Sequence, residues 1–380
     1  MIPYFDHNAT TPVDASVLKI MLPYFSEHYG HASSNLHAYG LDAADAVTAA
    51  RASIASLIHC EKEELLFTSG ATESINLALR GIADAYATKG NHIITCATEH
   101  KAVLDTCRAL AKKGTELTIL PVDADGNINM QELGAAIKPT TILIALMYAN
   151  NETGVLHPIQ QISAIAKAHH VLFFCDATQA VGKIPVDVLK DGIDAMAFSA
   201  HKMYGPKGCG ALYVRRKNPR VRLSEQITGG GHERNLRSGT LNVPGIVGFG
   251  KAASISQQQL TDDAAFIKQL RDYFEQEVCK QTGAIVNGDP VHRLPNTTNL
   301  CFDVPNGVSF INDLSKLMAV SSGSACSSAK PEASHVLKAM GMDEAAIKRS
   351  VRFSFGRMNT EEQVRQAVKD ICAVVQQHQS

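Results

Sequence analysis

The chain has 380 residues, enough at roughly 150 per domain for two domains or one large domain with an appendage. Its 36 Lys and Arg against 37 Asp and Glu leave a net charge of −1, which argues against a nucleic-acid binder or a polybasic membrane-surface protein. Charged residues at 19% and apolar residues at 45% describe a chain able to bury a sizeable core.

The start, MIPYFDHNATTP, has neither a basic n-region nor an apolar h-region, so no signal peptide is expected. The longest apolar run, from Ile142 to Met147, is too short for a bilayer span. Leu65-Leu66-Phe67-Thr68 predicts a strand and 72–87 a helix; 92–97 predicts a strand and 100–113 a helix. Strands recur at 117–122, 141–149, 171–177 and 194–199. These runs are apolar on both faces and separated by helical patterns, which predicts a mostly parallel sheet covered on both sides, a three-layer α/β architecture. Gly229-Gly230-Gly231 marks a break near 228–245. A polar helix-forming stretch over 251–281 and strand candidates at 298–304, 318–321 and 351–355 then predict a smaller α+β domain. The expected division is 15–250 for a large domain, and 1–14 with 251–380 for the small one. No internal repeat or long charge run interrupts this reading.

Three places carry chemistry. Lys202, in Ser199-Ala200-His201-Lys202-Met203-Tyr204-Gly205, follows an apolar strand and opens a glycine-rich turn, from which its amine can project into a crevice. Lysine forms a Schiff base with an aldehyde when burial or neighbours depress its pKa; a solvated loop lysine is the plainer reading. Asp176 ends the apolar run Phe173-Phe174-Cys175, where open α/β sheets hold ligands. There it can keep a pyridine nitrogen protonated, or simply cap the next helix. Thr68-Ser69-Gly70-Ala71-Thr72-Glu73-Ser74 joins a strand to a helix and suits a phosphate, or an ordinary N-cap.

Nine cysteines remain, an odd number with no C-x-x-C pair. That excludes a disulfide-stapled scaffold and a zinc ribbon, and it favours a reducing cytoplasm. Eight sit in apolar patterns and read as buried small hydrophobes. Cys326 differs: Ser321-Ser322-Gly323-Ser324-Ala325-Cys326-Ser327-Ser328 is a run of small polar residues, expected to form an exposed, mobile loop over about 321–333. An accessible thiol there is a candidate nucleophile. The 15 histidines show no H-x-x-x-H or H-E-x-x-H spacing, so no metal site is expected, although Cys326 could ligate an iron–sulfur cluster in passing.

F-D-H-N-A-T-T-P (5–12), T-S-G-A-T-E-S (68–74) and T-E-H-K-A-V (98–103) resemble fold-type I pyridoxal-phosphate enzymes. N-N-E-T-G (150–154), D-A-T-Q-A-V-G-K (176–183), S-A-H-K-M-Y-G-P-K-G (199–208), R-S-G-T-L-N (237–242) and S-S-G-S-A-C (321–326) narrow the resemblance to NifS/IscS-type cysteine desulfurases. The resemblance runs in order over nearly the whole chain. It implies Lys202 as the lysine that carries pyridoxal 5'-phosphate, Asp176 on the pyridine nitrogen, and His100 stacked on the ring and active in proton transfer. It also implies Gln179 on the ring hydroxyl, and Ala71, Thr72, Ser199 and His201 around the phosphate. Thr240 is implied to reach the phosphate of a neighbouring subunit, and hence a homodimer with shared sites. Asn151 and Arg352 are implied to bind L-cysteine, with Arg352 on its carboxylate; taken alone, Arg352 equally suits an edge-strand ion pair. Cys326 is implied to take the sulfur as a persulfide and pass it to an acceptor protein, either an iron–sulfur scaffold or a thiolation enzyme, with no role for nucleic acid or membrane.

The pattern departs from the family at Gly30-His31-Ala32-Ser33-Ser34-Asn35-Leu36-His37, where an Asn-Pro pair is lost. The last expected helix lies close to residue 380, so the extension through which housekeeping members of the resembled family meet their scaffold is not expected here. A selenocysteine lyase, or another fold-type I lyase or aminotransferase, is the alternative activity. A non-catalytic sulfur carrier on a degenerate enzyme fold is the alternative class.

Overall fold

The computed structural model describes residues 2–322 and 333–379. Seven strands form the larger sheet: β1 (Leu65–Thr68), β2 (His92–Cys96), β3 (Glu116–Leu120), β4 (Thr141–Met147), β5 (Leu172–Asp176), β6 (Ala195–Ser199) and β7 (Gly210–Val214). Their spatial order is β1-β7-β6-β5-β4-β2-β3, with β7 antiparallel to both its neighbours while the other six share one direction.

Successive side chains of a strand face opposite sides, so each apolar run feeds two cores. Leu65 and Phe67, Ile94 and Cys96, and Phe173 and Cys175 pack on one side, against the helices Ala38–Leu57 and Ile159–Ala168 and the first turns of Val243–Thr282. Leu66, Ile93 and Phe174 pack on the other, against the helices Ala71–Ala85 and Lys101–Ala111. The expected three-layer, mostly parallel sheet is therefore present. The sequence reading did not include β7. It leaves the glycine-rich turn after Lys202 and pairs at once, with Gly210 pressed so closely on the Gly70 turn that a Cβ there would meet the Gly70 backbone at 2.6 Å.

The helix Val243–Thr282 is 40 residues long and serves both parts of the molecule. Val243, Ile246 and Phe249 belong to the large core, whereas Ile267, Leu270, Phe274 and Val278 belong to a second one. The reading from sequence starts this helix at 251 because Pro244, Gly245, Gly248 and Gly250 disguise its first turns. Gly250 is required by packing: a Cβ there would lie 2.5 Å from the Cα of Ala50 in the crossing helix.

The second core lies on a four-stranded antiparallel sheet, β8 (Ile285–Val286), β9 (Thr297–Cys301), β10 (Ser321–Ser322) and β11 (Ser350–Ser354), in the order β10-β11-β9-β8. The N-terminal segment joins it through parallel bridges from Tyr4 to Ala319 and from Asp6 to Ser354. Phe5, Phe274, Phe353 and Phe355 cluster beneath, with the Phe274 and Phe353 ring centroids 4.7 Å apart. No helix among the described residues is long and apolar enough to cross a membrane.

Candidate active site

The six co-directional strands end on one edge of the sheet, and the loops leaving them enclose a cleft of about 580 Å³. Asp176 is the last residue of β5. Its Oδ1 accepts from Thr178 N at 3.0 Å and from the Thr178 hydroxyl at 2.5 Å, which fixes the carboxylate at the cleft floor. β6 ends at Ser199, and the short 3₁₀ turn Ala200–Lys202 delivers the amine. Lys202 Nζ donates to the carbonyl oxygens of Asn8, at 2.6 Å, and Ala9, at 2.7 Å. The D-H-N-A segment thus forms one wall, stitched to the small sheet on its far side.

His100 is the N-cap of the helix Lys101–Ala111, its Nδ1 accepting from Ala102 N at 3.1 Å. That leaves the ring proton on Nε2. The ring is open to the cleft, yet the surrounding protein depresses its pKa by desolvation, with Asp176 opposing and Lys202 adding to the depression. His201 is held at about 4 by burial and by the ammonium groups of Lys202, Lys207 and Lys183, so its imidazole is neutral at pH 7. It meets the Thr10 hydroxyl at 3.1 Å.

The turn from β1 into the helix Ala71–Ala85 supplies the anion end of the cleft. Gly70 is the N-cap and no described side chain caps this terminus, so the first backbone N–H groups, at Ala71 and Thr72, face the cleft as donors. Glu73, in the first turn, would repel an anion. Although burial acts to raise its pKa, Arg237 Nε at 2.6 Å and Ser69 N at 2.8 Å hold the carboxylate below its usual range and satisfy its charge. An uncapped helix terminus, a neutral histidine, a floor carboxylate and an amine form a donor and acceptor set that suits a phosphorylated pyridine aldehyde.

Arg352 enters from the four-stranded sheet. β11 lies between β10 and β9, so this arginine is inside the sheet, not on its edge. Its side chain is 3% exposed, with Nη2 on Asp6 Oδ1 at 2.6 Å and Nη1 on the Asn151 carbonyl at 3.0 Å. Asn151, Gln179 and Ser199 share the cleft with Ala71, Thr72, His100, Asp176, His201, Lys202 and Arg352. Thr240 does not; it is exposed on the loop leading to the long helix. Cys326 lies outside the described residues. Among those described, no group of three or more His, Cys, Asp or Glu could hold a metal.

Four of the eight described cysteines are buried; Cys60, Cys279, Cys301 and Cys372 are half-buried. Burial pushes the thiol pKa up at Cys96, to about 11, and at Cys107 and Cys209, to about 12, and it raises those of Cys175 and Cys60 well above the usual thiol value. These are thiols, not thiolates, at pH 7.

Sequence reading passed over two ionisable groups near the cleft. Glu99, preceding His100, is completely buried; its Oε1 accepts from Met147 N at 2.6 Å, and burial, with the Asp176 carboxylate adding to it, pushes its pKa well up. Lys183 lies one turn past Gln179 and donates to its amide oxygen. Nothing local marks either one, because burial of a charge is a property of the assembled fold.

Comparison with known proteins finds relatives along nearly the whole chain. A cysteine desulfurase IscS of Anaeromyxobacter dehalogenans is 51% identical over 370 residues, covering 96% of this chain and 90% of its own length. A solved NifS-like protein superposes with a TM-score of 0.92 at 37% identity, covering 99% of this chain and all of its own. DndA from Streptomyces lividans gives 0.80 at 40% identity over 92% of this chain and 98% of its own. The family model for aminotransferase class-V matches residues 3–367, and the chain belongs to that family.

Proposed function

We propose that this chain is a cysteine desulfurase, which converts L-cysteine to L-alanine and moves the sulfur through Cys326 to an acceptor protein. The observation that carries this reading is the convergence of Lys202, Asp176 and Arg352 on one cleft, each from a different strand end or sheet. When bound, pyridoxal phosphate, on which the chemistry of this family depends, supplies an electron sink that weakens the substrate's bond from Cβ to Sγ.

The protein's own groups do the rest. Arg352, kept in orientation by Asp6 and the Asn151 carbonyl, offers its remaining N–H groups to the substrate carboxylate. Asp176 keeps a proton on the ring nitrogen, and the helix terminus at Ala71 and Thr72, with Ser199 and His201, holds the phosphate. Lys202 Nζ removes the substrate's α-proton and gives a proton back as alanine forms, with His100 Nε2 a second proton carrier. The Cys326 thiolate attacks Sγ: a sulfur–sulfur bond forms, the bond to Cβ breaks, and the carbon keeps the electron pair and is protonated. The persulfide on Cys326 is the cargo handed to the acceptor.

A homodimer is part of this reading. Leu18, Leu22, Phe25, Tyr29 and Leu36, all close in sequence, are exposed at 47 to 94%, an apolar stretch of the kind a second copy covers. Exposed Thr240 then reaches the other copy's phosphate. We place the enzyme in the cytoplasm, where the eight described cysteines, all unpaired, stay reduced. The test is stoichiometric alanine and sulfide from L-cysteine with a reducing thiol present. A Cys326→Ser variant with full alanine turnover and an intact persulfide acceptor would sink the reading.

A further inference from the structure

Lys183 takes part in none of these steps, yet it is bonded into the cleft wall. Its Nζ donates to Asn8 Oδ1 at 2.7 Å and to Gln179 Oε1. An amide that receives a hydrogen bond must turn its oxygen to the donor, so its nitrogen points the other way. Gln179 Nε2 accordingly donates at 2.9 Å to the Asn8 carbonyl, the same oxygen that accepts from Lys202 Nζ. Asn8 follows the same logic. Its Oδ1 receives Lys183 and, at 3.0 Å, Asn296 Nδ2; its Nδ2 donates to the Thr297 hydroxyl at 2.9 Å and to the Asn151 carbonyl at 3.2 Å.

We propose that Lys183 is a positioning residue that locks the Gln179 amide with its nitrogen toward the cleft, so that Gln179 offers a donor, not an acceptor, to an oxygen of the bound ring. This rests on the pyridoxal-phosphate reading above and adds the charge state of the ring hydroxyl: the site selects the oxyanion. Reversing the amide would set two donors against each other at Lys183 and two acceptors against each other at the Asn8 carbonyl. Gln179 is 5% exposed, so water cannot relieve that mismatch. The charged and titratable groups facing Lys183 are Lys202 from the turn after β6, Arg352 from β11, and His7 and His201, which flank it. Burial and the first two hold its pKa well below the usual lysine value, but amine and ammonium alike have the two N–H groups used here.

The test is a pH titration of the visible absorption bands of the reconstituted holoenzyme, read without turnover. Lys183→Met loses the donor, leaves the ring oxygen less stabilised as an anion, and is expected to raise the titration midpoint by roughly one pH unit with the fold intact by circular dichroism. Lys183→Gln keeps an N–H donor without the charge and is expected to restore the midpoint. Gln179→Met, with Lys183 present, is expected to reproduce the rise, and it decides the matter if Lys183→Met does not fold. An unmoved midpoint in Lys183→Met or Gln179→Met overturns the proposal, as does a Lys183→Gln midpoint as high as that of Lys183→Met. A wild-type protein that takes up no absorbing cofactor overturns the underlying reading and this proposal with it. Loss of sulfur transfer in a protein whose bands still titrate overturns only the desulfurase assignment.

Discussion

The guanidinium of Arg352 and the carboxylate of Asp6 meet at 2.6 Å, so the arginine assigned to the substrate's carboxylate already holds one of its own. The pair pins the planar fork and leaves its other N–H groups for a second acceptor. A lysine cannot serve both, since its single ammonium lacks the fixed bidentate geometry. Arg352→Lys is therefore expected to raise KM for cysteine at least about tenfold, with a smaller change in kcat. Steady-state alanine formation checks this, and an unaltered KM contradicts the assignment.

The proposed function gives Lys202 two tasks, to carry the cofactor and to move protons. Lys202→Ala should lower turnover by at least about 10³-fold, in line with loss of a positioned general base. The purified variant should also lose its visible absorption band on dialysis. A band that survives would show that another amine holds the cofactor.

The raised thiol pKa values at Cys60, Cys96, Cys107, Cys175, Cys209, Cys279 and Cys372 make an alkylation experiment selective. Cys301 is half-buried and donates to the Ala346 carbonyl at 3.6 Å. At pH 7.5, limiting iodoacetamide should mark Cys326 first, as peptide mapping by mass spectrometry would show. First labelling at another cysteine contradicts the expectation.

Glu233 ties the loop before the long helix to β1. It accepts from Arg51 Nη2 at 2.6 Å, from Arg51 Nη1 at 3.0 Å and from Phe67 N at 2.8 Å, and the Arg51 guanidinium also lies 4.4 Å over the Phe67 ring. Removing one partner of a buried pair strands the other, so Glu233→Ala should destabilise the fold by about 3 kcal/mol in urea titrations. A loss under about 1 kcal/mol would mean that water replaces the carboxylate.

His157 is fully enclosed, its two ring nitrogens meet no described partner, and burial holds its pKa at about 4. A depressed value means that the unfolded chain takes up a proton near pH 6.5 and the folded chain does not. Its contribution is whole above pH 6.5 and drains away as pH falls toward 4, at a slope of up to about 1.4 kcal/mol per pH unit. His157→Gln should flatten the pH dependence of unfolding free energy between 6.5 and 4 by that amount, measured by urea melts against the parent. Parallel curves would show that the ring titrates normally.

Strands β1 to β6 can be read from sequence because each is a short, mostly apolar run flanked by helical periodicity. Polar breaks fall only in β1 at Thr68, β2 at His92 and Thr95, β3 at Glu116 and Thr118, β4 at Thr141, β5 at Asp176 and β6 at Ser199; Asp176 and Lys202 lie at or just past the ends of two of them. β7 is hidden because Gly208-Cys209-Gly210 reads as a continuation of the turn. Arg352 stands at the centre of Val351-Arg352-Phe353, an alternation that fits an edge strand as well as an interior one. Pairing with both β9 and β10 decides between them, and partners as distant in sequence as Asn299 and Ser321 leave no local mark. Lys183 and Glu99 stay invisible for a related reason: their water is stripped only when distant segments close on them, the N-terminal Asn8 on Lys183 and Met147 of β4 on Glu99.

The long helix makes the small sheet a passenger on a lever. At 1.5 Å per residue it measures about 60 Å, with its glycine-bearing end seated on Ala50 and its far end carrying Phe274 under β11. A methyl group at Gly250 would tilt that lever at its seat, and the displacement would grow with distance along the axis until it reached the strand that aims Arg352. On the role proposed for Arg352, substrate affinity would thus be hostage to a helix crossing that never touches substrate.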